Sequence, residues 1–265
     1  MTDLHTATTG SAATDAIAAT SWQPPAAIAP RGTLVLLPGR GEHARVYERF
    51  GRRLAVDGYV VHALDSAPGH SPGQLAAAAK DVLGPGPAAP VVLAGSDTGA
   101  LQALHTAAGG HLTVDALLLA GTAVPAEPET AATEPAAATD EAWDAELAAR
   151  TACPTHRRVL TEDTAFDRGR LADDVPASLR SDVTTRLPAL VLHGAADPVS
   201  SVDRARALAA RLPGAAFGTV RDGRHDVLND ITHRTAAATV VLWLERLRGG
   251  PESTPILTLE STPGT

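Results

Sequence analysis

The stretch VVLAGSDTGALQALHTAA, residues 91–108, carries the clearest structural signal in the sequence. It begins with a short apolar run, typical of a strand buried on both faces of a sheet, and ends with leucines at helical spacing. The turn between the two has glycines two positions before and two positions after Asp97. Only small residues fit at those places when the turn is this tight. The stretch therefore predicts a strand–turn–helix unit with Asp97 at the apex and Gly95 and Gly99 beside it.

Similar apolar runs alternate with helical patterns along most of the chain. This alternation predicts a mostly parallel central sheet with helices on both faces, because parallel strands need long crossover connections. The predicted strands are Thr33–Leu37, Tyr59–Leu64, Val91–Ala94, Ala116–Ala120, Ala189–His193 and, less regularly, Ala216–Val220.

Residues 122–187 interrupt the alternation. Their first half is acidic and rich in alanine, and we interpret the segment as an insertion of helices and loops that could form a cap over the active site. A possible edge strand precedes the alternation at Ala16–Trp22, and ILTLE, residues 256–260, could pair as a strand in the tail. The predicted division is a flexible N-terminal segment with that edge strand (1–30), an α/β core (31–121 and 188–248), a cap insertion (122–187) and a tail (249–265).

Composition excludes several classes of function. The 265 residues carry a formal net charge of −8 and no basic run, which argues against nucleic-acid binding. No apolar run approaches the roughly 20 residues of a membrane span, and the N-terminus has no pattern of a secretory signal. The single cysteine, Cys153, cannot form an intrachain disulfide, and the ten histidines show no metal-type spacing. We expect a soluble cytoplasmic protein without metal or cofactor that acts on a small molecule, and the oligomeric state stays open.

Three residues in separate loops suggest a catalytic set. A Gly-x-nucleophile-x-Gly turn between strand and helix is the nucleophile elbow, and Asp97 occupies its apex. Asp197 follows the predicted strand Ala189–His193, and His225 lies in a loop before the last long helix. Ligands of open α/β sheets bind beyond the carboxyl ends of strands, where all three residues fall. The order nucleophile, acid, histidine predicts Asp97, Asp197 and His225 as catalytic residues.

Other reactive side chains have weaker support. Ser96 lies one position too early to be the apex, and Cys153 has no partner pattern. His193 ends an apolar strand, so we interpret it as a core or rim histidine rather than a catalyst. His43 and His70 are expected to brace loops near the site.

The first part of the predicted core resembles a known protein family. Residues 31–71, RGTLVLLPGRGEHARVYERFGRRLAVDGYVVHALDSAPGHS, look like the start of the monoglyceride lipase and lysophospholipase branch of the α/β-hydrolase superfamily. LVLHGAADPVS and GRHDVLND resemble the acid and histidine loops of that branch, and RTACPTHRRVL resembles the end of its cap. The likeness covers roughly residues 30–247. It implies an α/β-hydrolase fold with a helical cap, hydrolase activity without a cofactor, and an oxyanion hole formed by the backbone N–H groups of Arg40 and Thr98.

The sequence departs from that family at three places. Pro38 stands where the family has histidine, the glycine expected after His70 is absent, and Asp97 replaces the catalytic serine. A carboxylate at the elbow is a nucleophile that needs no base, and haloalkane dehalogenases and soluble epoxide hydrolases use one on the same fold. The helper residues of those enzymes are missing: Thr98 replaces the halide-binding tryptophan, and neither tyrosine of the chain falls in the predicted cap. Arg40 could add a cationic side chain near the site.

Three functions follow from an Asp97–His225–Asp197 set. The leading hypothesis is hydrolysis of an ester or another electrophilic carbon–heteroatom bond in a small apolar substrate, with His225 activating water. The alternative is a non-hydrolytic lyase, cyclase or isomerase of a biosynthetic pathway that uses Asp97 and His225 as acid and base. A further alternative is a binding protein that has lost catalysis.

Overall fold

The computed structural model describes residues 16–124 and 139–250. Within them, seven strands form one sheet in the order β1-β3-β2-β4-β5-β6-β7. The strands are β1 (Ala19–Trp22), β2 (Gly32–Leu37), β3 (Tyr59–Leu64), β4 (Val91–Ser96), β5 (Ala116–Ala120), β6 (Ala189–Gly194) and β7 (Ala216–Val220). The helices are α1 (Glu48–Val56), α2 (Pro72–Leu83), α3 (Thr98–Ala108), α4 (Asp140–Arg150), α5 (Pro154–Glu162), α6 (Val202–Ala210) and α7 (His233–Arg248), with short 3-10 helices at Ala44–Tyr47, Arg170–Ala172 and Ala177–Leu179.

The sheet is parallel except at one edge. β2 pairs in parallel with both β3 and β4, and the pairing continues in parallel to β7. β1 pairs antiparallel with β3, Ala19 opposite Leu64, within the stretch where the sequence suggested an edge strand. The mostly parallel α/β fold expected from the alternation is confirmed, and its carboxyl strand ends bring the loops of the predicted site to one edge of the sheet.

Two apolar layers cover the sheet, as the continuous apolar strands require. Leu34 and Leu36 of β2 face a cluster that includes residues of α1 and α7, whereas Val35 and Leu37 face a cluster with residues of α2, α3 and α6. Neighbouring residues of a strand point to opposite faces, so a strand that is apolar throughout must be covered on both sides. Each of these leucines stabilises the folded state by about 1.5–3 kcal/mol when it is fully buried. The two layers thus stabilise the strands from whose ends the site loops begin.

The insertion contributes helices to the described structure. Residues 139–187 contain α4, α5 and two short 3-10 helices, and no strand lies among them. Residues 125–138 of the predicted cap and the suggested tail strand at 256–260 lie outside the described residues. No helix in the described part of the chain is long and apolar enough to cross a membrane.

Candidate active site

The turn after β4 has the strained geometry that the sequence predicts. Asp97 has φ 53° and ψ −122°, a backbone conformation that side-chain-bearing residues rarely adopt. A Cβ atom at Gly95 would lie 2.1 Å from the carbonyl oxygen of Gly99, and one at Gly99 would lie 2.2 Å from the carbonyl oxygen of Leu37. Both glycines are therefore required by close backbone contacts, and the turn presents Asp97 at its apex.

The three residues expected to form the catalytic set meet in the structure. The His225 ring bridges two carboxylates, with Nδ1 2.8 Å from Asp197 Oδ2 and Nε2 3.1 Å from Asp97 Oδ1. All three side chains are buried, His225 and Asp197 completely. The nucleophile position, the histidine and the acid thus form one continuous hydrogen-bonded chain.

This arrangement determines the protonation of His225. An ionised carboxylate only accepts hydrogen bonds, so both ring nitrogens must donate, and the ring is an imidazolium. Burial alone would lower the pKa of His225, but the charge and hydrogen bond of Asp197, with those of Asp97, raise it to about 10. A serine at the apex would donate a proton to Nε2 and leave the ring neutral, so the site differs in charge from a serine triad.

Arg40 binds the Asp97 carboxylate directly. Its backbone N–H and its Nε–H donate to Asp97 Oδ2 at 2.8 and 2.9 Å, and its Nη2 donates to Oδ1 at 2.8 Å. The Thr98 hydroxyl lies 3.5 Å from the same Oδ2. Burial would raise the pKa of Asp97, but the charge and hydrogen bonds of Arg40, together with His225, hold it well below its usual value. Of the two backbone N–H groups expected to form an oxyanion hole, that of Arg40 therefore binds a carboxylate oxygen of Asp97 itself, and Thr98 approaches the same oxygen through its hydroxyl.

The site is closed to solvent in this conformation. Asp97 is 1% exposed and Arg40 6%. Arg40 also lines a cavity of about 440 Å³ that extends to Asp65 and Asp173, and its Nη1 donates to the Asp173 carbonyl. A second cavity, of about 640 Å³, lies between α4, Leu171 and Pro198. Asp97 lines neither cavity, whereas Gly39 and Arg40, which lie against it, line the first.

The acid of the set has a second histidine partner that the sequence analysis did not assign. Asp197 Oδ1 accepts the backbone N–H groups of Val199 and Ser200 at 2.8 and 3.2 Å. Asp197 Oδ2 is shared by His225 and by His193, whose Nε2 lies 3.0 Å away. Burial would raise the pKa of Asp197, yet its histidine partners lower it. The position of His193 at the end of β6, four residues before Asp197, was the available signal.

The carboxyl end of α4 holds two loops of the site together. The carbonyls of Ala149 and Arg150 accept the backbone N–H groups of His225 and Asp226 at 3.3 and 2.8 Å. The fully buried Arg150 side chain donates through Nη2 to the Arg40 carbonyl at 2.6 Å, and its Nη1 lies 3.5 Å from Asp226 Oδ1. Arg150 begins the stretch RTACPTHRRVL, which resembles the end of the family's cap, but that resemblance assigned it no contact with the site. Its contacts fix the Arg40 turn relative to the His225 loop.

The remaining candidates lie in other contacts. Cys153 is buried, and its Sγ accepts a hydrogen bond from Arg49 at 3.5 Å. His43 Nε2 lies 2.8 Å from Asp163, and His70 accepts the Ala67 N–H at 2.9 Å, so both tie loop residues in place. Among residues 16–124 and 139–250, no group of three or more His, Cys, Asp or Glu side chains is arranged to hold a metal ion.

Comparison with solved structures shows the fold at low sequence identity. The monoacylglycerol lipase of Paleococcus ferrophilus matches with a TM-score of 0.67 and 18% identity over 86% of this chain and 98% of that one. A soluble variant of monoglyceride lipase from Saccharomyces cerevisiae matches with a TM-score of 0.70 and 15% identity, covering 87% and 91%. A thermophilic esterase from Thermogutta terrifontis matches with a TM-score of 0.63 and 20% identity, covering 88% and 94%.

Sequence comparison identifies the family. No curated protein shows significant sequence similarity to the chain. The family model described as serine aminopeptidase, S33, matches residues 28–175, more than half of the chain. The matched segment contains β2 to β5, the Arg40 turn and the Asp97 elbow. The chain therefore belongs to the serine aminopeptidase S33 family and is a hydrolase of the α/β-hydrolase fold.

Proposed function

We propose that the protein hydrolyses an ester or another electrophilic carbon–heteroatom bond of a small, apolar substrate through a covalent intermediate on Asp97. This intermediate is an ester where Asp97 attacks an alkyl carbon and an anhydride where it attacks the carbonyl carbon of an ester. The observation that carries the proposal is the His225 ring, which bridges the Asp97 and Asp197 carboxylates at 3.1 and 2.8 Å. An ionised, buried carboxylate at the apex of a strained turn is a nucleophile, and a histidine in contact with it can move protons for both steps.

In the first step, Asp97 attacks carbon and the leaving group departs. Asp97 Oδ1 forms the new bond, while Oδ2 stays on the Arg40 N–H, where it becomes the carbonyl oxygen of the enzyme ester. His225 starts as an imidazolium, so it can give its Nε2 proton to the leaving group. This transfer supplies the acid that the missing cap tyrosines provide in epoxide hydrolases. The products of this step are the ester of Asp97, the protonated leaving group and neutral His225.

In the second step, water cleaves the ester. Neutral His225, oriented by Asp197, takes a proton from water, and the hydroxide attacks Cγ of Asp97. The developing oxyanion lies at Oδ2, which already accepts the Arg40 N–H at 2.8 Å. Collapse of the intermediate releases the product, which leaves with one proton, and returns the Asp97 carboxylate and the His225 imidazolium. The sum of the two steps is hydrolysis of one bond by one water.

The closed conformation sets a condition on the first step. Asp97 Oδ1 is shared by His225 and Arg40 Nη2, so substrate carbon reaches it only after one of these hydrogen bonds breaks. The cavity beyond Arg40 gives the guanidinium space into which it can withdraw. Substrate binding is therefore coupled to the breaking of one of these two hydrogen bonds.

Isotope transfer tests the covalent step. The protein, in molar excess over each substrate, is mixed in heavy-oxygen water with members of a panel of p-nitrophenyl esters, alkyl bromides and epoxides. After one turnover the protein is digested, and the mass of the peptide that contains Asp97 is measured by mass spectrometry. We expect one heavy oxygen in the Asp97 carboxylate with every alkyl bromide or epoxide that turns over, because water then attacks Cγ of an alkyl ester of Asp97. A p-nitrophenyl ester gives an anhydride that water can cleave at either carbonyl carbon, so these substrates report turnover only. The matched control is Asp115, an aspartate outside the elbow whose Oδ2 accepts the Val91 N–H, and its peptide stays unlabelled. Turnover of an alkyl bromide or epoxide without label in Asp97 refutes the covalent role.

A second candidate is a non-hydrolytic reaction, such as an elimination or isomerisation, with His225 as acid and Asp97 as base. The observation in its favour is the direct contact of the His225 imidazolium with the Asp97 carboxylate at 3.1 Å, which places an acid and a base side by side without requiring a free nucleophilic oxygen. This candidate predicts turnover with no heavy oxygen in Asp97. If no member of a broad substrate panel turns over while ligands still bind, the site functions in binding alone.

A further inference from the structure

The Asp197 carboxylate serves two buried histidines. Its Oδ2 lies 2.8 Å from His225 Nδ1 and 3.0 Å from His193 Nε2, and both rings are fully buried. The proposed mechanism uses only the first contact. The second links the proposed acid to the end of β6, a strand that is buried along its length.

The hydrogen bonds of His193 define its tautomer. Nε2 lies 2.7 Å from the Ser200 carbonyl oxygen as well as 3.0 Å from Asp197 Oδ2, and both atoms are acceptors. Nε2 must therefore carry a proton, which it donates to the Ser200 carbonyl, and Asp197 Oδ2 lies 3.0 Å from the same nitrogen. Nδ1 is buried and has no partner among the described residues. His193 thus places its one N–H beside Asp197 Oδ2 as well as on the Ser200 carbonyl.

We propose that His193 is a positioning residue of the site, whose Nε2–H holds Asp197 Oδ2 in place and weakens the pull of that oxygen on the His225 proton. A carboxylate oxygen that accepts two N–H donors is less basic than one that accepts a single donor, because each donor stabilises its negative charge. The assignment rests on the proposed roles of Asp197 and His225, but its physical effect is measurable without any substrate.

The surrounding charges allow the effect of His193 to be isolated. Asp197 Oδ1 is held by two backbone N–H groups, which a change at position 193 leaves in place. His225 faces Asp197 on one side and Asp97 on the other, and Arg40 lies beyond Asp97. In an Asp97→Asn background, Asp197 remains as the one carboxylate in contact with His225 among the residues that the structure describes. The basicity of Asp197 then controls the His225 titration directly.

The experiment compares three substitutions of His193 in the Asp97→Asn background by nitrogen-15 NMR titration of the His225 ring. Glutamine places an amide N–H at about the position of the imidazole Nε2, asparagine places it nearer the backbone, and leucine offers no donor. We expect the leucine and asparagine variants to raise the pKa of His225 by about one unit, whereas the glutamine variant leaves it unchanged. In the chain with Asp97 intact, the low-field proton resonance of His225 Nδ1 should move further downfield with leucine and asparagine.

The two amide variants keep the test decisive if leucine prevents folding, since Ser200 also loses its donor. A pKa of His225 that is equal in the glutamine and asparagine variants overturns the proposal, because a purely structural role for His193 does not depend on where the donor lies. A lowered pKa in the asparagine or leucine variant also overturns it. Activity does not enter these readouts, so failure here is distinct from failure of the Asp97 isotope test.

Discussion

The stability of the protein should fall with rising pH because of one buried imidazolium. His225 has its pKa raised from 6.5 to about 10: burial opposes the shift, and Asp197 and Asp97 outweigh it. A raised pKa means that the folded state binds a proton that the unfolded state has released. The stabilisation is complete below about pH 6.5 and is lost as the pH rises toward 10. The perturbation that isolates it is His225→Gln, which keeps a polar side chain and cannot titrate.

The size of the effect follows from one proton. Stability changes by about 1.4 kcal/mol per pH unit when folding takes up one proton, so the loss between about pH 7.5 and 9.5 should approach 3 kcal/mol. The assay is urea denaturation of both proteins at several pH values in that interval, followed by far-ultraviolet circular dichroism. We expect a falling free energy of unfolding for the unsubstituted protein and a nearly flat one for the glutamine variant.

Other groups either titrate outside this interval or act in the opposite direction. Burial raises the pKa of both Tyr47 and Tyr59 above 10, so their effects come at higher pH. Burial opposes a lower pKa for Cys153, but Arg49 lowers it, which makes the protein more stable as pH rises. Both proteins share these contributions, so the difference between them reports His225 alone. If the free energy of unfolding falls with pH at the same slope in both proteins, His225 is not an imidazolium in the folded state. The proposed mechanism would then lack the proton that His225 gives to the leaving group.

Three further outcomes are expected. Asp97→Ser should hydrolyse p-nitrophenyl acetate at least about tenfold faster than the unsubstituted protein, since neutral His225 would then face a hydroxyl donor; a rate no higher in a stopped-flow or plate assay contradicts this. Arg40→Met should cost about 3–5 kcal/mol in urea denaturation because the two buried carboxylates, Asp97 and Asp197, then have only the His225 imidazolium to balance them. Adding Asp97→Asn should recover most of the loss; no recovery would mean that the ion pair is not the cause. Gly95→Ala should prevent soluble folding, because the new Cβ would lie 2.1 Å from a backbone oxygen, whereas Gly69→Ala, which meets nothing within 4 Å, should fold normally by circular dichroism.

The fold and the proximity of Asp97, Asp197 and His225 were predictable because they depend on local patterns. Continuous apolar runs and helical spacing are properties of short segments. Within the described residues, the apolar runs of the core form strands of the sheet, and the stretches with helical spacing form helices. The elbow is the clearest case: Gly95 and Gly99 are needed because of backbone contacts within that turn and with the end of β2. Loops that follow parallel strands meet at one edge, so Asp197 and His225 could be placed together without coordinates.

The contacts that define the chemistry were not predictable in the same way. Arg40 and Asp97 are 57 residues apart, and Arg150 reaches the Arg40 carbonyl across 110 residues. No periodicity connects such pairs, and the sequence placed Arg40 in an oxyanion hole without showing that its side chain binds the elbow carboxylate. His193 was interpreted as core because its strand is apolar. Which acceptor a buried histidine meets depends on side-chain packing, which a single sequence does not reveal.

The charges of the site explain why an aspartate at the elbow is accompanied by Arg40. Asp97 and Asp197 bring two negative charges into a buried space, and the His225 imidazolium and Arg40 bring two positive charges. Burial of an uncompensated charge is costly, so this neutral set is stable where a lone elbow carboxylate would not be. Serine in place of Asp97 removes one negative charge, and His225 can restore neutrality by releasing one proton. A neutral histidine beside a hydroxyl is the arrangement of a serine triad. The same charge inventory therefore requires a protonated His225 with aspartate and a neutral one with serine, and this links the pH dependence of stability to the expected gain of esterase activity in Asp97→Ser.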